Sequence, residues 1–171
     1  MNSADGLMFR SIFAPGVILI TILLSIVGAS AQEKRASLDA GTAKAIIIGC
    51  ERFAIVNDFS VAIAVAGPGD LLAMVSRMDG VVPGAVEVAI WKARSSSSMG
   101  MSTAELADLA EKTPSIATIP GVAAIAGGQP ILSGDGILIG GVGVSGASAD
   151  QDVACALAGL DEASLNKDEE K

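Results

Sequence analysis

Arg77 and Asp79 stand two positions apart, Lys92 follows them, and Gln151 and Asp152 lie near the C-terminus. These side chains have the means to hold or move charge. An arginine beside a lysine combines a planar donor fork with a compact point charge, a pair suited to a ligand's carboxylate. With Asp79 added, the same residues also suit a structural ion pair that locks a loop to a helix. Gly143, Ser145 and Gly146 run up to a helix start. Their backbone N–H groups could surround an anion, or the stretch could be a tight turn before an ordinary cap. Gln151 and Asp152 fit either cap positions or acid–base work. Met74 and Met78, four apart across a strand end, fit either core packing or thioether ligation.

An absence constrains the chemistry most. The chain has no histidine and no tyrosine. That excludes Ser-His-Asp and Cys-His catalysis and any ordinary histidine-based zinc or non-haem iron site. Acid–base work at neutral pH would fall to carboxylates or to a lysine with a shifted pKa. The formal net charge of −8 argues against nucleic acid and anionic membrane as partners. A single tryptophan argues against base-stacking platforms.

The elements that must position these residues begin after residue 31. A short start with Arg10, an apolar run from Ile12 to Val27 and the small residues Ala29-Ser30-Ala31 read as a secretory signal peptide over 1–31, so the mature chain is expected to begin at Gln32, in the periplasm or outside the cell. The other reading is an uncleaved anchor, since the run approaches the length of a membrane span. Removing 1–31 takes one acid and one base and leaves one domain over 32–162, followed by a charged tail over 163–171.

Ser37 is placed as the cap of a first helix from Leu38 to about Arg52, with Ala45, Ile46, Gly49, Cys50 and Phe53 on its inner stripe. Ser60–Ala66 and Leu71–Arg77 read as a hairpin joined by Gly67-Pro68-Gly69-Asp70, whose Pro-Gly centre suits a type II turn. Pro83-Gly84 opens a helix to about Ser97. The serine run from Ser95 to Ser98 at its end reads as a fraying terminus. Ser102 to Glu105 is a capping box for a short helix that ends at Thr113-Pro114. Strands follow at Val122–Ala126, between the turns at Gly128-Gln129-Pro130 and Ser133–Gly136, and at Ile137–Val144. Glycines inside that last strand call for something packed closely against its backbone, a helix or a ligand. Ser148 and Gln151 form a second capping box, opening a helix from Ala149 to about Asp161. Short turns between successive strands make the sheet mostly antiparallel. The fold class is α/β (α+β), with a five-stranded sheet and helices on both faces.

Cys50 lies near the end of the first helix and Cys155 near the start of the last. If those helices pack antiparallel the two meet and can form a disulfide, provided their Cα atoms come within about 7 Å. Otherwise they are two buried thiols. The wide alanine- and glycine-rich helix surfaces point to a homo-oligomer.

Four motifs occur in order: Arg77-Met78-Asp79-Gly80, Lys92-Ala93, Gly127-Gly128-Gln129-Pro130-Ile131, and Gly141-Val142-Gly143-Val144-Ser145-Gly146 leading to Gln151-Asp152. Together they resemble the haem-binding (haem-degrading, GlcG/HbpS-like) domain family over roughly residues 38–162. The resemblance implies a five-stranded antiparallel, profilin-like fold and a secreted or periplasmic protein that binds haem or a similar carboxylate-bearing tetrapyrrole. On this reading the propionates, or another small anion, meet Arg77 and Lys92 against Gly143–Gly146. Met74 or Met78 approaches the iron, since no histidine or tyrosine can. The alternatives are a small-molecule enzyme using Arg77, Lys92 and Asp152, or a ligand-free oligomeric accessory protein. The chain departs from the family pattern at Ala66, where relatives carry an aspartate in the first hairpin.

Overall fold

The computed structural model describes residues 37–168. The expected signal peptide lies outside the described residues. Chain order is α1 (Ala40–Val56), β1 (Ala62–Ala66), β2 (Leu72–Arg77), α2 (Gly84–Met99), α3 (Thr103–Lys112), β3 (Gly128–Leu132), β4 (Leu138–Ser145) and α4 (Ala149–Asp168), with single turns of 3-10 helix at Pro68–Asp70 and Pro114–Thr118. Among the described residues no helix is long and apolar enough to cross a membrane.

The sheet has four antiparallel strands in the order β2-β1-β4-β3. The five-stranded, profilin-like expectation is corrected by one strand, because residues 122–126 pair with no neighbour. Gly121 and Gly127 bracket that segment with φ of 85° and 120°, a backbone that no strand continues through. The Ala123 N–H donates instead to the Ser95 hydroxyl at 3.0 Å. Gly128-Gln129-Pro130, expected as a turn, opens β3. Pro130 is tolerated there because β3 is an edge strand.

The two faces of the sheet carry different side chains. Ile63 and Val65 of β1 point with Val142, Val144, Ile131 and Ile139 into a core shared with α1 and α4. Ala62, Ala64 and Ala66 point the other way, against Ala85, Ala89 and Ala93 of α2. Opposite these alanines β4 places Gly143 and Gly141. A Cβ on Gly143 would collide with the backbone of Ala89 and Ala93, and one on Gly141 with Ala93 and Ser97. The partner that the strand glycines call for is therefore a helix: α2 lies directly on bare backbone. The same device joins α1 to α4, where Gly159 meets the Ile46 backbone and Gly49 meets Ala158.

Several ends differ from expectation for local reasons. The N-cap of α1 is Asp39, whose carboxylate accepts the Thr42 N–H at 2.7 Å, a favoured cap arrangement; Ser37 lies outside the helix. The hairpin turn, expected as type II, is a turn of 3-10 helix with Gly69 at φ 73°, ψ 27° and Asp70 at φ 62°. Both capping boxes form. The Ser102 hydroxyl and Glu105 carboxylate exchange bonds with each other's backbone N–H, and Ser148 and Gln151 do the same. Helix α4 continues past Asp161 to Asp168, with Ala163 buried against the core, so part of the expected tail is helical. Cys50 and Cys155 are joined by a disulfide with Cα atoms 4.6 Å apart, both fully buried between α1 and α4.

The serine run does not fray. Ser95, Ser96 and Ser97 are buried. Ser95 holds the Ala123 N–H, Ser97 donates to the Gly67 carbonyl at 2.9 Å, and Ser98 donates to the Arg94 carbonyl. One helix end thus fastens two loops whose backbone groups have no strand partner.

Candidate functional site

Lys92 projects from the sheet-facing side of α2 and is 2 % exposed. Its Nζ donates to the Val144 carbonyl at 2.8 Å and to Asp152 Oδ2 at 2.9 Å. Asp152, 3 % exposed, accepts the Ala147 N–H on Oδ1 at 3.2 Å. Burial raises the Asp152 pKa above the ordinary aspartate value, against the opposing pull of the Lys92 hydrogen bond and charge and of the Ala147 N–H. Gly127, at φ 120°, closes over the pair, where a side chain would strike Lys92 Nζ and the Asp152 Cβ.

This arrangement decides the fate of the anion site expected at the mouth of α4. Three of the N–H groups there are satisfied from within the chain: Ala147 by Asp152, Ser148 by Gln151, and Gln151 by the Ser148 hydroxyl. The anion that the helix end and Lys92 attract is the chain's own Asp152 carboxylate. Ser145 is buried, and Gly146, at φ 132°, fits closely against Ser60 and Val61. Gly143 lies beneath α2. The structure brings Lys92, Asp152, Gly143, Ser145 and Gly146 together as interior scaffold.

Arg77 belongs elsewhere. It ends β2 opposite Ala62 and is exposed. Asp79 is exposed too, and neither has an ion-pair partner among the described residues; the ion pair that forms around Lys92 is with Asp152. Met74 sits opposite Val65, so it faces the α1/α4 core, across the sheet from Lys92. Met74 therefore cannot serve a ligand bound beside Lys92. Met78 packs against both apolar layers, and its N–H donates to the Val61 carbonyl.

The open space lies at the other end of α1. Phe53, Asn57, Phe59, Asp150, Gln151 and Ala154 line a cleft of about 250 Å³. A second, of about 270 Å³, is lined by Ile55, Asp58, Phe59, Ser60 and Met78. Phe59 is common to both. It is set by Asp58, whose φ of 56° reverses the chain after α1, and by its own N–H donating to the Ala54 carbonyl. Phe53 and Phe59 meet edge to face with ring centroids 6.0 Å apart. The clefts thus gather two aromatic rings, a thioether, two amides, a hydroxyl and two carboxylates, with exposed Arg77 next to Met78 in the chain. Two of the expected site residues, Gln151 and Met78, line them. Phe59 and Asn57 are additions. The available signal was that Phe53 and Phe59 are the only phenylalanines beyond residue 31. A third cleft, of about 230 Å³ between Ile46, Ile131 and Leu160, contains no charged side chain. No cluster of three or more metal-ligating side chains occurs among the described residues.

Comparison with curated protein sequences returns no match. Solved structures do match. HbpS is 29 % identical over 77 % of this chain and 93 % of its own, with a TM-score of 0.71. A double mutant of Streptomyces reticuli HbpS is 25 % identical over 94 % of this chain and 97 % of its own, with a TM-score of 0.72. PduOC in complex with haem shares the fold, at 24 % identity over 74 % of this chain and 95 % of its own and a TM-score of 0.67. The profile of the family described as haem degrading protein HbpS-like matches residues 38–161. The chain belongs to that family.

Proposed function

We propose that this chain is an exported protein that binds haem, or a similar carboxylate-bearing tetrapyrrole, reversibly in the paired cleft around Phe59. Family membership supports the ligand class, and PduOC holds haem on the same fold. The observation that carries the choice of site is that both phenylalanines beyond residue 31 border one cleft, and that one of them, Phe59, borders a second cleft with Met78.

The residues present fit haem in a limited way. Each cleft is smaller than the roughly 300–1,000 Å³ of an enclosing small-molecule site; with Phe59 bordering both, they would cover one part of a flat ring. With no histidine or tyrosine in the chain and both cysteines in a disulfide, a thioether is the donor left for iron. Met78 supplies it, Phe53 and Phe59 give the ring an apolar wall, and Arg77 is the free cation for a propionate. Bound haem would add an iron centre of tunable potential; the chain's own part is to hold and orient it. An enzyme built on Arg77, Lys92 and Asp152 is less well supported, because Lys92 and Asp152 are occupied by each other.

Titrating the protein with haemin tests the reading. A Soret shift saturating near one equivalent is expected, and Arg77→Ala should weaken binding about ten- to a hundred-fold relative to Lys112→Ala. Equal affinity of the two variants would remove Arg77 from the site. The export part rests on residues 1–31, and N-terminal sequencing of exported material is expected to start at Gln32. An intact Met1 on membrane-bound protein would contradict it.

A further inference from the structure

The walls of the cleft that joins Phe53 to Phe59 come from two helix ends. Phe53 and Asn57 close α1, Phe59 follows them, and Asp150, Gln151 and Ala154 open α4. The close contacts between these helices lie on the side away from the cleft, where Gly49 meets Ala158 and Gly159, and Gly159 meets the Ile46 backbone. Towards the cleft, no hydrogen bond or ion pair among the described residues joins 51–57 to 149–154; Arg52 pairs farther along α4, with Glu162. The edge-to-face contact of Phe53 and Phe59 stays within the α1 end. Between the glycine seam and the open space stands the Cys50–Cys155 disulfide.

That link sits where it sets both walls. Cys50 lies one helical turn before Phe53 and Ala54, and the Ala54 carbonyl accepts the Phe59 N–H at 3.1 Å. Cys155 follows Ala154 and lies one turn beyond Gln151. Both cysteines are fully buried in the core between α1 and α4. In an interior packed to crystal density, two separate thiols need more room than the bond that replaces them. On the glycine side backbone meets backbone, and no side chain can give way. On the other side lies open space. Loss of the bond therefore displaces the ends that carry Phe53, Phe59 and Gln151.

We propose that the Cys50–Cys155 disulfide positions the ligand site, so that the Phe59 clefts take their binding shape once the two cysteines are joined. This rests on the reading that a tetrapyrrole occupies those clefts. The bond forms by thiol–disulfide exchange with an oxidised, disulfide-bearing partner. One cysteine thiolate attacks a partner sulfur, which gives a mixed disulfide and releases one partner thiol. The other cysteine then displaces the second partner thiol, so that two electrons and two protons pass from the chain to the partner. The dithiol chain holds a tetrapyrrole weakly, and the disulfide chain holds it well. Disulfides persist in oxidising compartments, so in an exported protein loading follows export.

Fluorescence titration of the purified full chain with metal-free protoporphyrin tests this, since without iron no freed thiolate can act as a ligand. Cys50→Ala combined with Cys155→Ala should weaken binding about tenfold, an ordinary size for coupling between two parts of a protein. Ser95→Ala, across the sheet from the clefts, removes the acceptor of the Ala123 N–H; it should lower the melting temperature and keep the parent's affinity. A bridge that only stabilised the fold would behave as Ser95→Ala does. If the double variant fails to fold, the parent carries the test in a glutathione redox buffer. Saturating protoporphyrin should then favour the disulfide by the same factor, a midpoint shift of about 30 mV for tenfold. Parent-like affinity in a folded double variant, or a midpoint indifferent to protoporphyrin, would overturn the inference and leave the Phe59 reading standing. A parent that binds neither protoporphyrin nor haemin would overturn both.

Discussion

Lys92 and Arg77 are cations on neighbouring elements, one on the helix that covers the sheet and one at the end of an edge strand. They are two residue types commonly found around a bound carboxylate, and the fold treats them oppositely. Around Lys92 the chain has supplied every partner itself: the Val144 carbonyl, the Asp152 carboxylate, and Gly127 closing the top. Arg77 it has left exposed and without an ion-pair partner among the described residues, and around Phe59 it has supplied walls and left the centre open. A charge that has been desolvated and paired is scaffold. One that keeps its water and lacks a partner remains available to a ligand. Residue type cannot separate the two cases, because burial is a property of the packing.

The comparison can be broken most severely at Lys92. Lys92→Ala strands a buried carboxylate and Asp152→Ala strands a buried ammonium, and each should cost about 3–5 kcal/mol of stability. Dehydrating both charges costs much of what their attraction returns, in keeping with the raised pKa of the buried Asp152 carboxyl. Replacing both, as Lys92→Met with Asp152→Leu, should therefore recover most of the loss. Denaturant unfolding of the singles and the double checks this, and two additive losses would refute it.

A smaller loss is expected where α2 fastens the loop over that pair. Ser95→Ala leaves the buried Ala123 N–H without its acceptor and should cost about 1–3 kcal/mol. The same substitution at Ser98, which bonds only to carbonyls of its own helix, should cost less. Equal melting temperatures for Ser95→Ala and Ser98→Ala would mean that the serine run is not the anchor.

The cap of α3 gives a milder and pH-dependent effect. The Ser102 hydroxyl and then its N–H hold the Glu105 carboxyl below the ordinary glutamate value. A group depressed on folding contributes stability that is present above its unfolded pKa and is lost as pH falls through the folded one. Glu105→Gln should remove that part of the acid sensitivity, and Ser102→Ala should cost about 1 kcal/mol at neutral pH. Thermal unfolding from neutral to acid pH reads both.

The parts of the molecule legible in the sequence are those whose causes are local. Ser102–Glu105 and Ser148–Gln151 each contain within four residues the groups that satisfy one another, and each forms as expected. The strand expected at Val122–Ala126 fails because its partner for hydrogen bonding is a serine nearly thirty positions away. The glycines of β4 announced a close neighbour without naming it. The site was hardest to place, because Lys92 meets Asp152 across sixty residues and Phe59 shares a cleft with Gln151 across about half of the chain, placements set by how α1, α2 and α4 dock. Of the expected site, Gln151 and Met78 border the open clefts; Lys92, Gly143 and Asp152 do not.

The most direct test of the central contrast is haemin affinity in two surface variants and one scaffold-neutral control. Phe59→Ala removes the wall shared by both clefts, and Met78→Leu removes the sulfur while keeping the volume. With the ligand in the Phe59 clefts, Phe59→Ala should weaken haemin binding about tenfold or more, and Met78→Leu should alter the Soret position even where affinity survives, while Lys112→Ala matches the parent. Parent-like spectra and affinities for both Phe59→Ala and Met78→Leu would contradict the account.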